Sequence, residues 1–148
     1  MQTNDSNLLE IKNLSIDFNQ GDNKHRVINN ISFKIPFGRT VGVVGESGSG
    51  KSVTALTIMG LLQTPPAIIT SGEILFSGGK NKVVNLLKIS NKEKNEYRGN
   101  RFGMIFQEPM TSLNPVMKCG EQVAEVLLKH KPEGIRNKKQ AIQKVLKL

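Results

Sequence analysis

The eight residues Gly45-Glu46-Ser47-Gly48-Ser49-Gly50-Lys51-Ser52 satisfy G-x-x-x-x-G-K-[ST] at every fixed position, which is the pattern of a phosphate-binding loop. Such a loop holds an anion with donors that need no charge of their own. Backbone N–H groups of the glycine-rich turn converge on phosphate oxygens, and the start of the following helix adds partial positive charge. Gly45, Gly48 and Gly50 suit this because a residue without Cβ can take positive φ and let the backbone approach a ligand. Lys51 supplies a mobile ammonium for the terminal phosphates, and the Ser52 hydroxyl is the expected magnesium ligand.

The flanks agree with the loop. Thr40-Val41-Gly42-Val43-Val44 is a short, mostly apolar run, as expected of a strand buried on both faces. Beyond the loop, Val53, Leu56, Thr57, Met59, Gly60 and Leu61 repeat at three and four residues, which predicts a helix that Thr64-Pro65-Pro66 stops. Strand, glycine turn and helix follow one another in the order the loop requires.

Before the loop, Leu8 to Phe18 ends in alternation and Val27 to Ile35 alternates through Ile31, Phe33 and Ile35. Both read as strands with one polar face, joined by a turn at Asn19 to Lys24. After the helix, Gly72 to Phe76 and Lys82 to Leu87 are expected to pair as a hairpin across Ser77 to Asn81. Ile89 to Arg98 reads as a helix, and Arg101 to Gln107, with Phe102, Met104, Ile105 and Phe106, as a core strand. Two amphipathic helices are expected around Gly120 to His130 (Val123, Val126, Leu127) and Asn137 to Leu148 (Ile142, Val145, Leu146).

At 148 residues the chain has a one-domain length. Cys119 is the single cysteine, so an internal disulfide is excluded and it gives no metal-binding pattern, which fits a reducing compartment. The polar residues 1–7 have no signal-peptide apolar region, and no apolar run reaches the ~18 residues of a membrane span. A formal charge of +9 raises nucleic-acid binding. However, the one basic cluster (Lys129, Lys131, Arg136, Lys138, Lys139, Lys144, Lys147) has no interleaved aromatics to stack on bases. A solvated helix face is the commoner origin of such a cluster, so no nucleic acid is expected as a partner.

Residues 104–116 carry the second motif, Met-Ile-Phe-Gln-Glu-Pro-Met-Thr-Ser-Leu-Asn-Pro-Val. It reads as a strand ending at Gln107 and a proline-punctuated loop, and ligands in open α/β sheets gather at the carboxyl ends of strands. With the loop at Gly45 to Ser52 and the following Val53-Thr54-Ala55, this segment resembles the ATP-binding subunit of an ABC transporter. The likeness is to the dipeptide/oligopeptide (peptide/nickel) importer group, from about Leu8 onward. It implies an α/β P-loop NTPase fold of ABC ATPase type: antiparallel β subdomain, P-loop core strand and helix, Q-loop strand, and the start of a helical subdomain. It also implies ATP and Mg2+ as cofactors, bound through Gly45, Glu46, Ser47, Gly48, Ser49, Gly50, Lys51, Ser52 and Val53. Ser52 and Gln107 would be metal ligands, and Gln107 the residue that senses the γ-phosphate and its water. Phe18 falls where the superfamily places an aromatic ring on adenine, against the reading of an ordinary edge-strand core residue; Arg26 is a second candidate for the adenine rim. The implied partners are a second ATPase subunit and transmembrane permease subunits docking on the loop after Gln107. The implied location is peripheral, on the cytoplasmic face of the plasma membrane.

The chain departs from the family in one respect. No aspartate follows Asp22, and Glu108, Glu121, Glu125 and Glu133 are the carboxylates after Gln107. The family's signature motif, Walker B carboxylate, catalytic glutamate and switch histidine are all absent from residues 1–148. Phe76-Ser77-Gly78-Gly79-Lys80 imitates the signature but precedes Gln107, so it reads as a hairpin turn. Neither His25 nor His130 stands at a switch position. The expectation is the amino-terminal portion of one nucleotide-binding domain, hydrolysis-incompetent as this chain. The alternatives are a stand-alone nucleotide-binding or regulatory module without catalysis and, less favoured, a basic nucleic-acid-binding protein.

Overall fold

The computed structural model describes residues 7–21, 23–78, 83–107, 113–130 and 135–146. They fall into two units, Met1–Lys94 and Asn95–Leu148, each with its own apolar centre.

The first unit is built on an antiparallel sheet. Strands β1 (Asn7–Gln20) and β2 (Asn23–Pro36) form a hairpin closed where Gln20 faces Asn23, with Gly21 at φ 62° in the turn. β3 (Ala67–Phe76) pairs with the other side of β1, and the two-residue β4 (Val84–Asn85) pairs with β3, giving the order β2-β1-β3-β4. β1 is therefore interior, hydrogen-bonded along both edges. Leu9, Ile11, Leu14, Ile16, Ile28, Ala67, Ile74, Phe76 and Leu86 are buried.

The alternation of β1 slips between Ile11 and Leu14, where the register shifts against both neighbours. Asn13 at φ 49° and Asn30 at φ 52° absorb the slip, asparagine tolerating this region better than most residues. Their N–H groups bond to Ser32 Oγ at 2.8 Å and Ser15 Oγ at 3.0 Å, so neither bulge leaves its donor unpaired. Gly72, at φ 104°, lies where a Cβ would come within 2.5 Å of Leu14 Cα. The bulge and the close approach of β3 thus depend on each other.

Helix α1 (Lys51–Met59) follows the glycine loop and ends at Gly60, φ 64°. The N–H groups of Gly60 and Leu61 return to the last-turn carbonyls, closing the helix in the manner of a Schellman motif. Its buried residues are Thr54 and Thr57, whose hydroxyls donate to the carbonyls of Gly50 (3.0 Å) and Val53 (2.6 Å). Helix α2 (Asn91–Tyr97) begins with a reciprocal cap. Glu93 accepts from Ser90 N–H and Oγ–H, and Ser90 Oγ accepts from Glu93 N–H.

In the second unit, α3 (Cys119–His130) and α4 (Lys138–Val145) enclose Ala124, Ile135 and Ala141, with Leu127, Leu128, Ile142 and Val145 packed around them. Asn137 caps α4 by accepting from Gln140 N–H at 2.9 Å. Lys138 reaches Glu121 at 2.9 Å and holds the Glu121 carboxyl below its ordinary range.

Several sequence expectations need correction. The strand expected at 40–44 is irregular and pairs with no other described strand; Val44 is 93% exposed. The core strand expected at Arg101 to Gln107 is likewise absent. Ile105 is 95% exposed; Phe102 bridges Arg98 and lies 5.9 Å from the Tyr97 ring, and the Arg101 and Phe102 N–H groups donate to the Tyr97 carbonyl. The reason is the same in both cases: a ladder needs a neighbour, and the described residues provide none there. β3 starts at Ala67 rather than Gly72, and the hairpin partner Lys82 to Leu87 shrinks to Val84–Asn85. Its turn falls partly outside the described residues. Of the expected helical contact residues, Leu127, Ile142 and Val145 pack against the buried Ala124 and Ala141, while Val123, Val126 and Leu146 are exposed. Small alanines permit the close approach of two helices that larger side chains would prevent. His130 is held on α3 with Nε2 2.8 Å from the Arg98 carbonyl.

Asp17 is the buried charge of the sheet. Its carboxylate receives Arg26 Nε at 2.8 Å and Lys24 Nζ at 3.1 Å. Its pKa is lowered, first by the Arg26 hydrogen bond. A depressed carboxylate pKa adds stability that is fully present above the unfolded value of ~3.9 and is lost as pH falls through the folded one. Urea midpoints measured from neutral to strongly acidic pH should therefore fall with acid in the native chain. Asp17→Asn should be less stable at neutral pH, and the difference from native should shrink below the unfolded value.

Candidate functional site

The loop preceding α1 is shaped by two glycines in the left-handed region, Gly48 at φ 81° and Gly50 at φ 87°. Nothing surrounds Gly48, so its requirement is conformational alone. Gly50 is buried, and a Cβ there would collide with Ile28 Cδ1 and stand 3.2 Å from the Val27 carbonyl. The end of the loop is thus pressed against β2. Ser49 N–H donates to the Glu46 carbonyl at 3.2 Å, closing a turn over Ser47 and Gly48.

Gly50 is the residue before the first helical turn and has no side chain with which to cap it. Thr54 N–H makes the first helical bond, to the Gly50 carbonyl at 2.9 Å. The amides of Lys51, Ser52 and Val53 precede it, and the first turn has no acidic side chain. Unpaired N–H groups and the positive end of the helix dipole make this an electrostatically suitable end for an anion. Lys51 turns back over the loop, its Nζ donating to the carbonyls of Gly45 (2.8 Å) and Glu46 (2.6 Å) and to Ser49 Oγ (3.0 Å). Ser52 is exposed on the first turn, and Val53 is half-buried.

This donor set fits a polyphosphate. Backbone amides, the Lys51 ammonium and the Ser52 hydroxyl lie within nine residues, and no carboxylate opposes them in the first turn. A magnesium ion would find the Ser52 hydroxyl here. No group of three or more His, Cys, Asp or Glu that could hold a metal occurs among the described residues.

The structure brings together Gly45, Glu46, Ser49, Gly50, Lys51 and the first turn of α1. Phe18 is half-buried on β1, opposite His25 of β2 and Ala67 of β3. Since β1 is interior, the edge-strand reading of Phe18 is wrong. Two and three residues beyond His25, Val27 and Ile28 meet Gly50, so one strand serves both the Phe18 pairing and the loop. Arg26, considered for an adenine rim, has its guanidinium engaged by Asp17. Gln107 is exposed and outside regular structure, in the second unit; the first residues of the loop after it lie outside the described residues. Sequence reasoning missed the Asp17–Arg26–Lys24 cluster, whose signal was two cations at alternate positions of β2 across a hairpin from a lone aspartate.

The family described as ABC transporter matches residues 28–148. Among curated relatives, the chain is 49% identical over 123 residues to the oligopeptide transport ATP-binding protein OppD of Bacillus subtilis (strain 168), covering 83% of this chain and 33% of that protein. It is 46% identical over 141 residues to the dipeptide transport ATP-binding protein DppD of Lactococcus lactis subsp. cremoris (strain MG1363), covering 95% and 38%. The glutathione import ATP-binding protein GsiA of Escherichia coli (strain K12) is 43% identical over 124 residues, covering 84% and 20%. Among solved structures, the ATP-binding cassette MJ0796, in a dimeric post-hydrolysis state bound to ADP and Pi, superposes with a TM-score of 0.74 at 23% identity, covering 94% of this chain and 54% of that one. The chain belongs to the ABC transporter family and has the ABC ATPase fold over the part it shares. It spans about a third of the first two curated relatives' length.

Gly50→Ala should disrupt this site twice, through positive φ and through collision with Ile28. A strained non-glycine residue costs on the order of 1–3 kcal/mol, and chemical denaturation should show a loss of at least that size. Gly48→Ala, free of neighbours, should lose less.

Proposed function

We propose that this chain supplies the P-loop portion of the nucleotide-binding domain in the energy-coupling subunit of a di- or oligopeptide importer. The observation that carries the reading is the loop itself: Lys51 folded over the turn at Gly45 to Ser49, at the unopposed start of α1. The names of the peptide-transport relatives support the substrate class.

In this reading ATP is held at its phosphates by the amides of residues 48–53 and by Lys51, with Ser52 contributing to Mg2+. ATP brings the phosphoanhydride bond whose cleavage is the energy source. The chain's own residues bind and orient it: Lys51 neutralises phosphate charge, and the fixed amide donors hold the chain of phosphates without reorganising. Gln107 is assigned to the γ-phosphate and its water, and Phe18 to the adenine ring, both on their match to the family pattern. Permease subunits would meet the loop after Gln107, and a second ATPase subunit would complete the site. The place of action is the cytoplasmic face of the membrane, reached through those partners; no described helix is long and apolar enough to cross it.

Residues 1–148 contain no aspartate after Asp22, so the magnesium lacks a Walker B carboxylate within them. Calorimetry should find Mg-ATP binding weaker than submicromolar, and Lys51→Ala should remove it; a submicromolar native affinity would contradict the assignment of a missing carboxylate. Phosphate release by the purified chain should not exceed the rate in buffer. Turnover abolished by Lys51→Ala would instead show a self-sufficient catalytic site.

A further inference from the structure

The lysine of this loop has no donor to spare. An ammonium carries three N–H bonds, and Lys51 Nζ directs one at each of three acceptors: Gly45 O at 2.8 Å, Glu46 O at 2.6 Å and Ser49 Oγ at 3.0 Å. A phosphate oxygen can reach that ammonium only when one of these bonds is given up. The two carbonyls belong to the backbone, and that of Glu46 also accepts from Ser49 N–H at 3.2 Å. The third acceptor is a side-chain hydroxyl, it makes the longest of the three bonds, and one χ1 rotation removes it.

We propose that Ser49 is a positioning residue that latches Lys51 onto the loop backbone, and that breaking the Ser49–Lys51 hydrogen bond is the step that frees the ammonium for phosphate. Gly45 makes the latch possible. A Cβ on Gly45 would lie 2.7 Å from Ser49 Oγ and 3.9 Å from Lys51 Nζ, so the hydroxyl lies over the bare glycine and faces the ammonium from there. Ser49 thereby acts against nucleotide rather than for it. The latched form is a competing state, and apparent affinity falls in proportion to its population.

The latch can be observed without any nucleotide. In the full chain at mildly acidic pH and low temperature, the Lys51 ammonium should give a slowly exchanging 1H–15N correlation, assigned by its disappearance in Lys51→Arg. Ser49→Ala should weaken or erase that correlation while leaving the backbone amide spectrum otherwise native, and Ser49→Thr, which keeps the hydroxyl, should restore it. The affinity arm rests on the nucleotide reading given above: Ser49→Ala should bind Mg-ATP about two- to tenfold more tightly, the ratio set by one net hydrogen bond. A full-intensity ammonium correlation in Ser49→Ala overturns the latch, and so does Mg-ATP affinity that is unchanged or weaker in that variant. A correlation lost in Ser49→Ala and restored in Ser49→Thr, with no Mg-ATP binding by any form, supports the latch and counts against the nucleotide reading instead.

Discussion

The contact between Gly50 and β2 is the constraint on which the site depends. A glycine loop has little shape of its own, since each glycine widens the backbone's choice. Here the choice is narrowed from outside. Ile28 and the Val27 carbonyl fill the space where a side chain at position 50 would stand. Ile28 is in turn seated by the interior strand β1, through its pairing with Ile16 and a shared apolar layer. The position of the first amides of α1 is therefore inherited from the sheet core, with Asp17, Arg26 and Lys24 closing the same hairpin a few residues away. The geometry of the anion site is a packing property before it is an electrostatic one.

The anchoring of the loop is one-sided. Downstream it is secured by Gly50, by the helical bond from Thr54 and by the two threonine hydroxyls turned onto the backbone. Upstream, residues 40–44 are mostly apolar and exposed, with no ladder to any described strand. Exposed valines of this kind, together with Ile105 and Phe106, favour association of the chain with whatever can cover them.

Local signals were legible in the sequence, and those that need a distant neighbour were not. The glycine loop, the helix after it, the β1–β2 hairpin and both helices of the second unit followed from spacing, because each depends on contacts a few residues apart. The strands expected at 40–44 and 101–107 failed for the opposite reason: a buried parallel strand is defined by what flanks it. The start of β3 was obscured by Pro65-Pro66, although Ile68, Ile69 and Thr70 carry strand propensity. In the α3–α4 contact, Leu127, Ile142 and Val145 followed from spacing, whereas the central place of Ala124 and Ala141 could not be read from hydrophobicity, which ranks valine and leucine above alanine. In the candidate site, the identity of the loop residues was legible, whereas the threefold bonding of Lys51 and the seat of Gly50 on β2 required coordinates.

The bare backbone at residues 40–44 has a further consequence. Amide protons that no neighbouring strand protects exchange with solvent quickly, while those of β1, covered on both edges, exchange only when the sheet opens. Deuterium uptake in these two segments therefore gives one molecule an internal clock and an internal reference. Any chain that docks beside Thr40 to Val44 slows the first without altering the second, so assembly can be timed from the chain's own amides with no label attached.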